Sequence, residues 1–269
     1  MIIANKEFKM GHTHIMGILN ITPDSFSDGG EYLNPDNALR RAEQMIKEGA
    51  DIIDIGGEST RPGYTPITES EETARILPIV KAIKKEFDIP VSVDTYKSAV
   101  ADAVLSCGAD LINDIWGLKK DPKMADTISR YSAGVCIMHN RENTDYTDLS
   151  DDVTADLKES IAIAKAAGIT DDKIIIDPGI GFAKDYRQNL ELINKLDKLT
   201  LLGYPVLLGA SRKSVIGITL DEPQDKRLYG TLATTAVACE RGAMFVRVHD
   251  IKENFELIKM MEAIKNAIG

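Results

Sequence analysis

Apolar positions along the chain fall into eight short runs, and nearly every run breaks off at a polar residue suited to chemistry. The run 15–19 stops at Asn20, 52–55 at Gly56-Gly57-Glu58, 91–93 at Asp94 and 111–112 at Asn113-Asp114. The run 135–138 stops at His139-Asn140 and 174–176 at Asp177-Pro178, while 206–208 leads on to Ser211-Arg212-Lys213 and 244–246 stops at Arg247-Val248-His249-Asp250. The runs are continuous and not alternating, which marks strands covered on both faces. Between them, apolar residues three and four apart predict helices over 37–47, 69–86, 98–106, 123–131, 154–167, 189–199, 226–241 and 253–268. Several of these patterns run into a glycine (Gly49, Gly108, Gly242), the usual residue past a helix C-terminus. The first nine residues, with Asn5-Lys6 between two apolar pairs, predict a small hairpin. Eight strand–helix units in about 250 residues favour a closed (βα)8 TIM barrel over a doubly wound open sheet. With the N-terminal hairpin, that makes one domain over 1–269.

In such a barrel the strand ends share one rim, where active sites lie. Two connections on that rim, 20–34 and 56–68, are long, polar and rich in turn formers, and so read as lids. Composition narrows the partners. A net charge of −10 argues against nucleic acid or an anionic membrane surface, both of which need a basic field. No apolar stretch reaches the length of a spanning helix, and the start lacks the charged and apolar regions of a signal peptide. Cys107, Cys136 and Cys239 fit no zinc or redox spacing and read as reduced thiols, so a cytoplasmic protein is expected.

Sorted by chemistry, the rim holds two sets of groups. Asp94, Asn113 and Asp177 suit a flat heterocycle with alternating donors and acceptors, although strand-end acids and amides also cap helices. Asp114 is the best candidate for capping. Arg61, Arg247, His249 and Lys213, with Ser211 and Ser214, suit a phosphate or pyrophosphate. The turn 209–214 could aim backbone N–H groups at an anion, close to where barrels commonly bind phosphate. Arg212 reads equally well as a surface ion-pair partner, whereas Arg247, inside an apolar strand, needs an anion. Lys213 could also be a Schiff-base lysine, but its Ser and Arg neighbours favour anion binding. His12 and His14 have metal-like spacing at the wrong end of their strand and read as structural. His139 has no clear acidic partner in the sequence.

Seven segments in order, among them 17–30 (GILNITPDSFSDGG), 56–63 (GGESTRPG), 92–95 (SVDT), 177–182 (DPGIGF) and 247–250 (RVHD), are specific enough to point to a family. Along essentially its full length the chain resembles the dihydropteroate synthase family. That resemblance implies condensation of 6-hydroxymethyl-7,8-dihydropterin pyrophosphate with p-aminobenzoate, releasing pyrophosphate, with Mg²⁺ as cofactor. It implies that Asp94, Asn113, Asp177, Lys213 and Gly209 hold the pterin, with Ile115 and Met138 as apolar walls. Asn20, Arg61, Arg247 and His249 would hold the pyrophosphate, and Asn20 would also ligate the metal. Phe26, Thr60, Pro62, Phe182 and Ser214 would form the p-aminobenzoate pocket, and catalysis would rest on Asp94, Asp177, Lys213, Arg61 and Asp28. No Phe-Gly insertion of the kind carried by sulfonamide-resistant relatives follows Gly63, so sulfonamides are expected to compete with p-aminobenzoate. The family resemblance alone implies a homodimer; the apolar stripe of Leu228, Leu232, Val237 and Met244 is equally compatible with a helical interface and with core packing. Two other readings stand beside this one: a methyltetrahydrofolate–corrinoid methyltransferase and a non-catalytic pterin-binding paralogue.

Overall fold

Eight parallel strands follow one another around a ring, each built from the β-branched and apolar residues that suit a pleated surface covered on both sides. The computed structural model describes residues 1–21, 35–58 and 65–267. The strands are β3 (His14–Asn20), β4 (Ile52–Gly56), β5 (Val91–Asp94), β6 (Leu111–Asp114), β7 (Gly134–Met138), β8 (Ile174–Asp177), β9 (Leu207–Leu208) and β10 (Phe245–Val248). They pair in the order β8-β7-β6-β5-β4-β3-β10-β9. A parallel bridge between Ile176 and Val206 joins β8 to β9, with the Ile176 N–H donating to the Pro205 carbonyl at 2.9 Å, and closes the barrel. Ahead of it, β1 (Ile2–Ile3) and β2 (Lys6–Glu7) form an antiparallel hairpin.

Side chains alternate across each strand, so each face has its own composition. Outward residues such as Ile53, Val93, Ile112, Ile137 and Val246 join helix residues in one large core. Inward residues near the strand starts form a second, smaller cluster of Met16, Ile52, Leu111, Cys136, Ile175 and Phe245. Ile3 and Phe8 from the hairpin segment seal that cluster from below. His14 belongs to the same floor: its ring lies edge-on to Phe8, with centroids 4.9 Å apart, and its Nδ1 is 3.6 Å from Asp51 Oδ2. His12 pairs with Glu262. Both are structural, as their position at the strand's amino end predicts. Toward the rim the inward positions of four strands turn polar, at Asp54, Ser92, Asn113 and Arg247, while Ile18 and Met138 stay apolar.

The helices α1 (Pro35–Glu48), α2 (Glu69–Glu86), α3 (Ser98–Leu105), α4 (Met124–Arg130), α5 (Leu149–Ala166), α6 (Tyr186–Asn194), α7 (Asp197–Thr200), α8 (Ser214–Leu220), α9 (Leu228–Glu240) and α10 (Ile251–Asn266) follow in order. Helix α2 starts on a capping box in which the Thr68 hydroxyl accepts from the Glu71 N–H while the Glu71 carboxylate accepts from the Thr68 N–H. Three helix boundaries depart from the periodicity. Helix α5 starts five residues before 154, because the Asp148 carboxylate accepts from the Asp151 N–H and caps it there. The 189–199 pattern divides into α6 and α7. Helix α8 was not foreseen, since seven residues offer too little periodicity to register. Of the stripe compatible with an interface or with core packing, Met244 takes the second course: it is buried in the barrel floor and lies on no helix. No helix among the described residues is long and apolar enough to cross a membrane.

Candidate active site

Strand register sets the floor of the site. Asn20, Gly56, Asp94, Asn113 and Cys136 are successive partners across β3 to β7, so one turn of backbone delivers an amide, a gap, a carboxylate and a second amide to the same height. Arg247, inward on β10, donates from Nε to Asp54 Oδ2 at 2.6 Å and from Nη2 to Asp94 Oδ2 at 2.7 Å. Asp54 is fully buried and Asp94 nearly so. A guanidinium shared between two carboxylates leaves an excess of negative charge in a desolvated space. Burial accordingly pushes Asp94 up to about 7, with Asp54 adding to the rise and Arg247 opposing it. Among the described residues Asp94 Oδ1 is buried and has no hydrogen-bond partner. A buried acceptor without a donor is costly, and in a concave site it is where a ligand N–H would be received.

Asp177 lies at the end of β8, level with Met138 on β7. Its Oδ1 accepts from the Gly179 N–H at 2.7 Å, and burial raises its pKa. A Cβ placed on Gly209 would lie 3.5 Å from Asp177 Oδ2, so the glycine runs alongside this carboxylate. The Lys213 ammonium donates to the Ile180 carbonyl and lies 4.7 Å from the centroid of the Phe182 ring. Its side chain is half-buried by surface, yet the ammonium is enclosed, and that desolvation lowers its pKa to about 8 against the pull of Asp177. Ile115 and Met138 are buried beside these groups. The structure thus brings Asp94, Asn113, Asp177, Met138, Ile115, Gly209 and Lys213 to one end of the barrel, where sequence reasoning placed them. Phe182 is half-buried and Ser214 exposed at the start of α8.

On the other side, Asn20 ends β3 half-buried, and a Cβ on Gly56 would come within 3.4 Å of its Oδ1. His249 shares a hydrogen bond of 3.0 Å between its Nδ1 and Ser211 Oγ. Arg247 therefore links the two sets, touching the acids with its guanidinium while its strand leads to His249. Arg212 forks onto the Asp250 carboxylate, which bears out its reading as an ion-pair partner. Asp114 accepts from the N–H groups of Trp116 and Leu118, both at 2.8 Å, and so caps a turn, with no helix there. Phe26, Asp28, Thr60, Arg61 and Pro62 lie outside the described residues, as do 22–34 of the first long loop and 59–64 of the second.

Sequence reasoning missed three features. Asp54 was hidden inside the run 52–55, although its two-residue offset from Gly56 places it on the inward face. His139 does have an acidic partner: its Nε2 lies 2.9 Å from Asp156 Oδ2 in α5. Lys97 was not singled out, yet it is buried and bonds Glu58 and Glu72. The last two pairings join residues distant in sequence and leave no local signal.

Comparison with known proteins then decides the family. The model of the pterin binding enzymes matches residues 16–249. The chain belongs to that family. A dihydropteroate synthase of Clostridium beijerinckii is 56% identical over 266 residues, spanning 98% of this chain and 99% of its own. A crystal structure of dihydropteroate synthase from Clostridium difficile, determined in the presence of pteroic acid, superposes with a TM-score of 0.94 at 50% identity, covering 96% of this chain and 99% of that one. A Yersinia pestis dihydropteroate synthase in complex with a sulfonamide drug gives 0.93 at 39% identity, covering 99% of both chains. These relatives match this chain over nearly its full length, and the buried acids described above lie within the segment that the family model matches.

Proposed function

We propose that this chain is a dihydropteroate synthase, joining 6-hydroxymethyl-7,8-dihydropterin pyrophosphate to p-aminobenzoate to give 7,8-dihydropteroate and pyrophosphate. The observation that carries the reading is the convergence of Asp94, Asn113 and Asp177 at the mouth of a barrel with an apolar floor, with Lys213 and Arg247 beside them. The carboxylates and amide receive the pterin edge, Asp94 through its unpartnered oxygen. Ile115 and Met138 cover the ring faces, and Gly209 keeps the space beside Asp177 Oδ2 free of a side chain. Asn20, Arg61, Arg247 and His249 hold the pyrophosphate. Phe26, Thr60, Pro62, Phe182 and Ser214 line the p-aminobenzoate side, with Arg61 and Asp28 supplied to the reaction from the two long loops.

The bond from the methylene carbon to the pyrophosphate oxygen breaks with its electron pair leaving on the pyrophosphate. The dihydropterin ring delocalises the resulting cation, and the carboxylates of Asp94 and Asp177 stabilise it in a site where charge interactions are poorly screened. Lys213, Arg247 and His249 stabilise charge building on the leaving group. The arylamine nitrogen forms the new bond with its own lone pair and then releases a proton, which needs no strong base. Apolar walls limit the access of water to the cation. Mg²⁺ fits the donor set. The described residues hold no cluster of three His, Cys, Asp or Glu side chains for a metal. The Asn20 amide oxygen suits a hard cation that takes its other ligands from phosphate and water. When bound, it supplies charge neutralisation on the pyrophosphate.

The deciding experiment follows pyrophosphate release with both substrates. Release is expected only when p-aminobenzoate and Mg²⁺ are both present, and a sulfonamide titrated into the same assay should raise the apparent KM for p-aminobenzoate without lowering the maximal rate. Methyl transfer to a corrinoid without pyrophosphate release would favour the methyltransferase, and pterin binding with no turnover would favour the non-catalytic paralogue. Neither has a use for Lys213, Arg247 and His249 together. We further read the protein as cytoplasmic, a single pterin-binding domain over 1–269 and a homodimer, taking small-molecule substrates and neither nucleic acid nor membrane.

A further inference from the structure

The turn from β8 into α6 is bent through left-handed backbone at Gly179 (φ 71°), Gly181 (φ 85°) and Ala183 (φ 46°). Such a turn persists only where its surroundings over-determine it. The groups that do so are buried and have no part in the reaction as derived. Lys184 donates from Nζ to His139 Nδ1 at 2.9 Å, to the Gly179 carbonyl at 3.1 Å and to the Phe182 carbonyl at 2.9 Å. An ammonium has three N–H donors and no lone pair, so all three are used and His139 must accept at Nδ1. His139 is then neutral, with its Nε2–H donating to Asp156 Oδ2, which also accepts from Arg141 Nε at 2.5 Å. Burial and the facing Lys184 hold the imidazole down at about 3, in keeping with that neutral form. A chain of four side chains thus runs from the surface to two carbonyls of one turn. Asn189 accepts from the Gly181 N–H and donates to the Lys184 and Asp185 carbonyls, and the Tyr146 hydroxyl donates to the Ala183 carbonyl, so the same turn is also held at its far side.

We propose that Lys184 is a positioning residue for the aminobenzoate side of the site: seated on His139, its ammonium gathers the Gly179 and Phe182 carbonyls and so fixes the turn that carries the Phe182 ring against Lys213. The inference rests on the reading of Phe182 as a wall for p-aminobenzoate. The turn meets the pterin groups through the Gly179 N–H on Asp177 and the Ile180 carbonyl on Lys213. Asp177 is itself carried by β8 and Lys213 by the segment before α8, whereas the turn carries the Phe182 ring outright, so the arylamine should lose more than the pterin when the turn loosens.

Lys184→Met removes the donors and keeps the length of the side chain. Steady-state kinetics should show the KM for p-aminobenzoate rising about tenfold, with pterin affinity within about threefold of wild type. Lys184→Arg should recover part of that loss. A structural role alone would lower the melting temperature and leave the ratio of the two effects near one. Wild-type KM in a folded Lys184→Met protein overturns the proposal. Absence of pyrophosphate release by the wild type would instead overturn the reading of the site on which it rests. If Lys184→Met does not fold, hydrogen exchange of the wild-type turn decides. Burial, aided by Lys213 and Arg141 and opposed by Asp177 and Asp156, brings Lys184 down to about 7. Loss of its proton removes one of the three bonds, so protection at Gly181 and Phe182, corrected for intrinsic rate, should fall between pH 6 and pH 9. Unchanged protection overturns the proposal.

Discussion

A buried guanidinium between two carboxylates leaves one negative charge unmatched, and Asp94 is where that excess shows. Its folded-state pKa of about 7 lies well above the value near 3.9 of an unfolded aspartate. The protonated form is therefore favoured by folding, and the contribution of this group to stability is full below about pH 4 and lost as pH rises through about 7. Asp94→Asn removes that loss, and Arg247 keeps its bond to Asp54. The variant should melt within a few degrees of wild type at pH 6 and compare more favourably at pH 8. Its pterin affinity should fall about ten- to a hundredfold, the worth of one charge-assisted bond of roughly 1.5–3 kcal/mol. Melting curves at the two pH values and a calorimetric pterin titration test both halves, and an undiminished affinity would refute the role given to Asp94. This residue, Asn113 and Asp177 were legible because each ends an apolar run. Asp54 was not, because one acid inside such a run looks like an interruption until strand alternation turns it inward toward Arg247.

Elements are tied together where sequence is silent. Lys97, at the start of α3, donates to Glu58 beyond β4, to Glu72 Oε2 in α2 at 2.6 Å and to the Ile67 carbonyl at 2.9 Å. One ammonium thus joins two consecutive strand–helix units on the rim, β4–α2 and β5–α3, and Tyr96 adds a bond to Glu58 at 3.3 Å. Removing one partner from a buried charge cluster commonly costs about 3–5 kcal/mol, more than the pair itself contributes. Lys97→Met should therefore lower the melting temperature by about 10 °C, measured by circular dichroism. Burial already raises the Glu72 pKa, so its contribution to stability is present at low pH and lost as pH rises through the folded value. Without Lys97, which opposes that rise, buried Glu72 can escape the penalty only by taking up a proton, so the deficit should be larger at pH 8 than at pH 5. A deficit that shrinks as pH rises would contradict this assignment. The strands themselves needed no such knowledge, because hydrophobic period placed all eight. What periodicity could not give was α8, too short to show a period, or contacts such as Lys97–Glu72 whose members lie 25 residues apart.

At the scale of the whole molecule, an inner apolar floor supports the polar site and an outer shell of helices covers the strands. One sector of that shell is left apolar. Helices α8 and α9 approach so closely at Gly230 that a Cβ there would come within 2.2 Å of the Ile216 side chain. The pair exposes Ile218, Leu220 and Tyr229, at 62%, 46% and 80% of their surface. Leu228, Leu232 and Val237 of the predicted stripe are half-buried on the same helix. An exposed apolar patch of this kind marks an interface more often than idle surface. A stable homodimer needs about 800 Å² from each partner, which two adjoining helices can provide. Sedimentation equilibrium at micromolar concentration should then give twice the chain mass of 29.5 kDa. The double substitution Ile218→Asp, Tyr229→Asp places a charge on each protruding side chain, away from Asp94, Asp177 and Lys213. It should shift the mass to that of one chain while near-ultraviolet dichroism keeps its native shape. Because the monomer loses the stabilisation that association adds by mass action, its melting temperature should no longer rise with protein concentration. A wild-type protein already monomeric at micromolar concentration would refute the dimer.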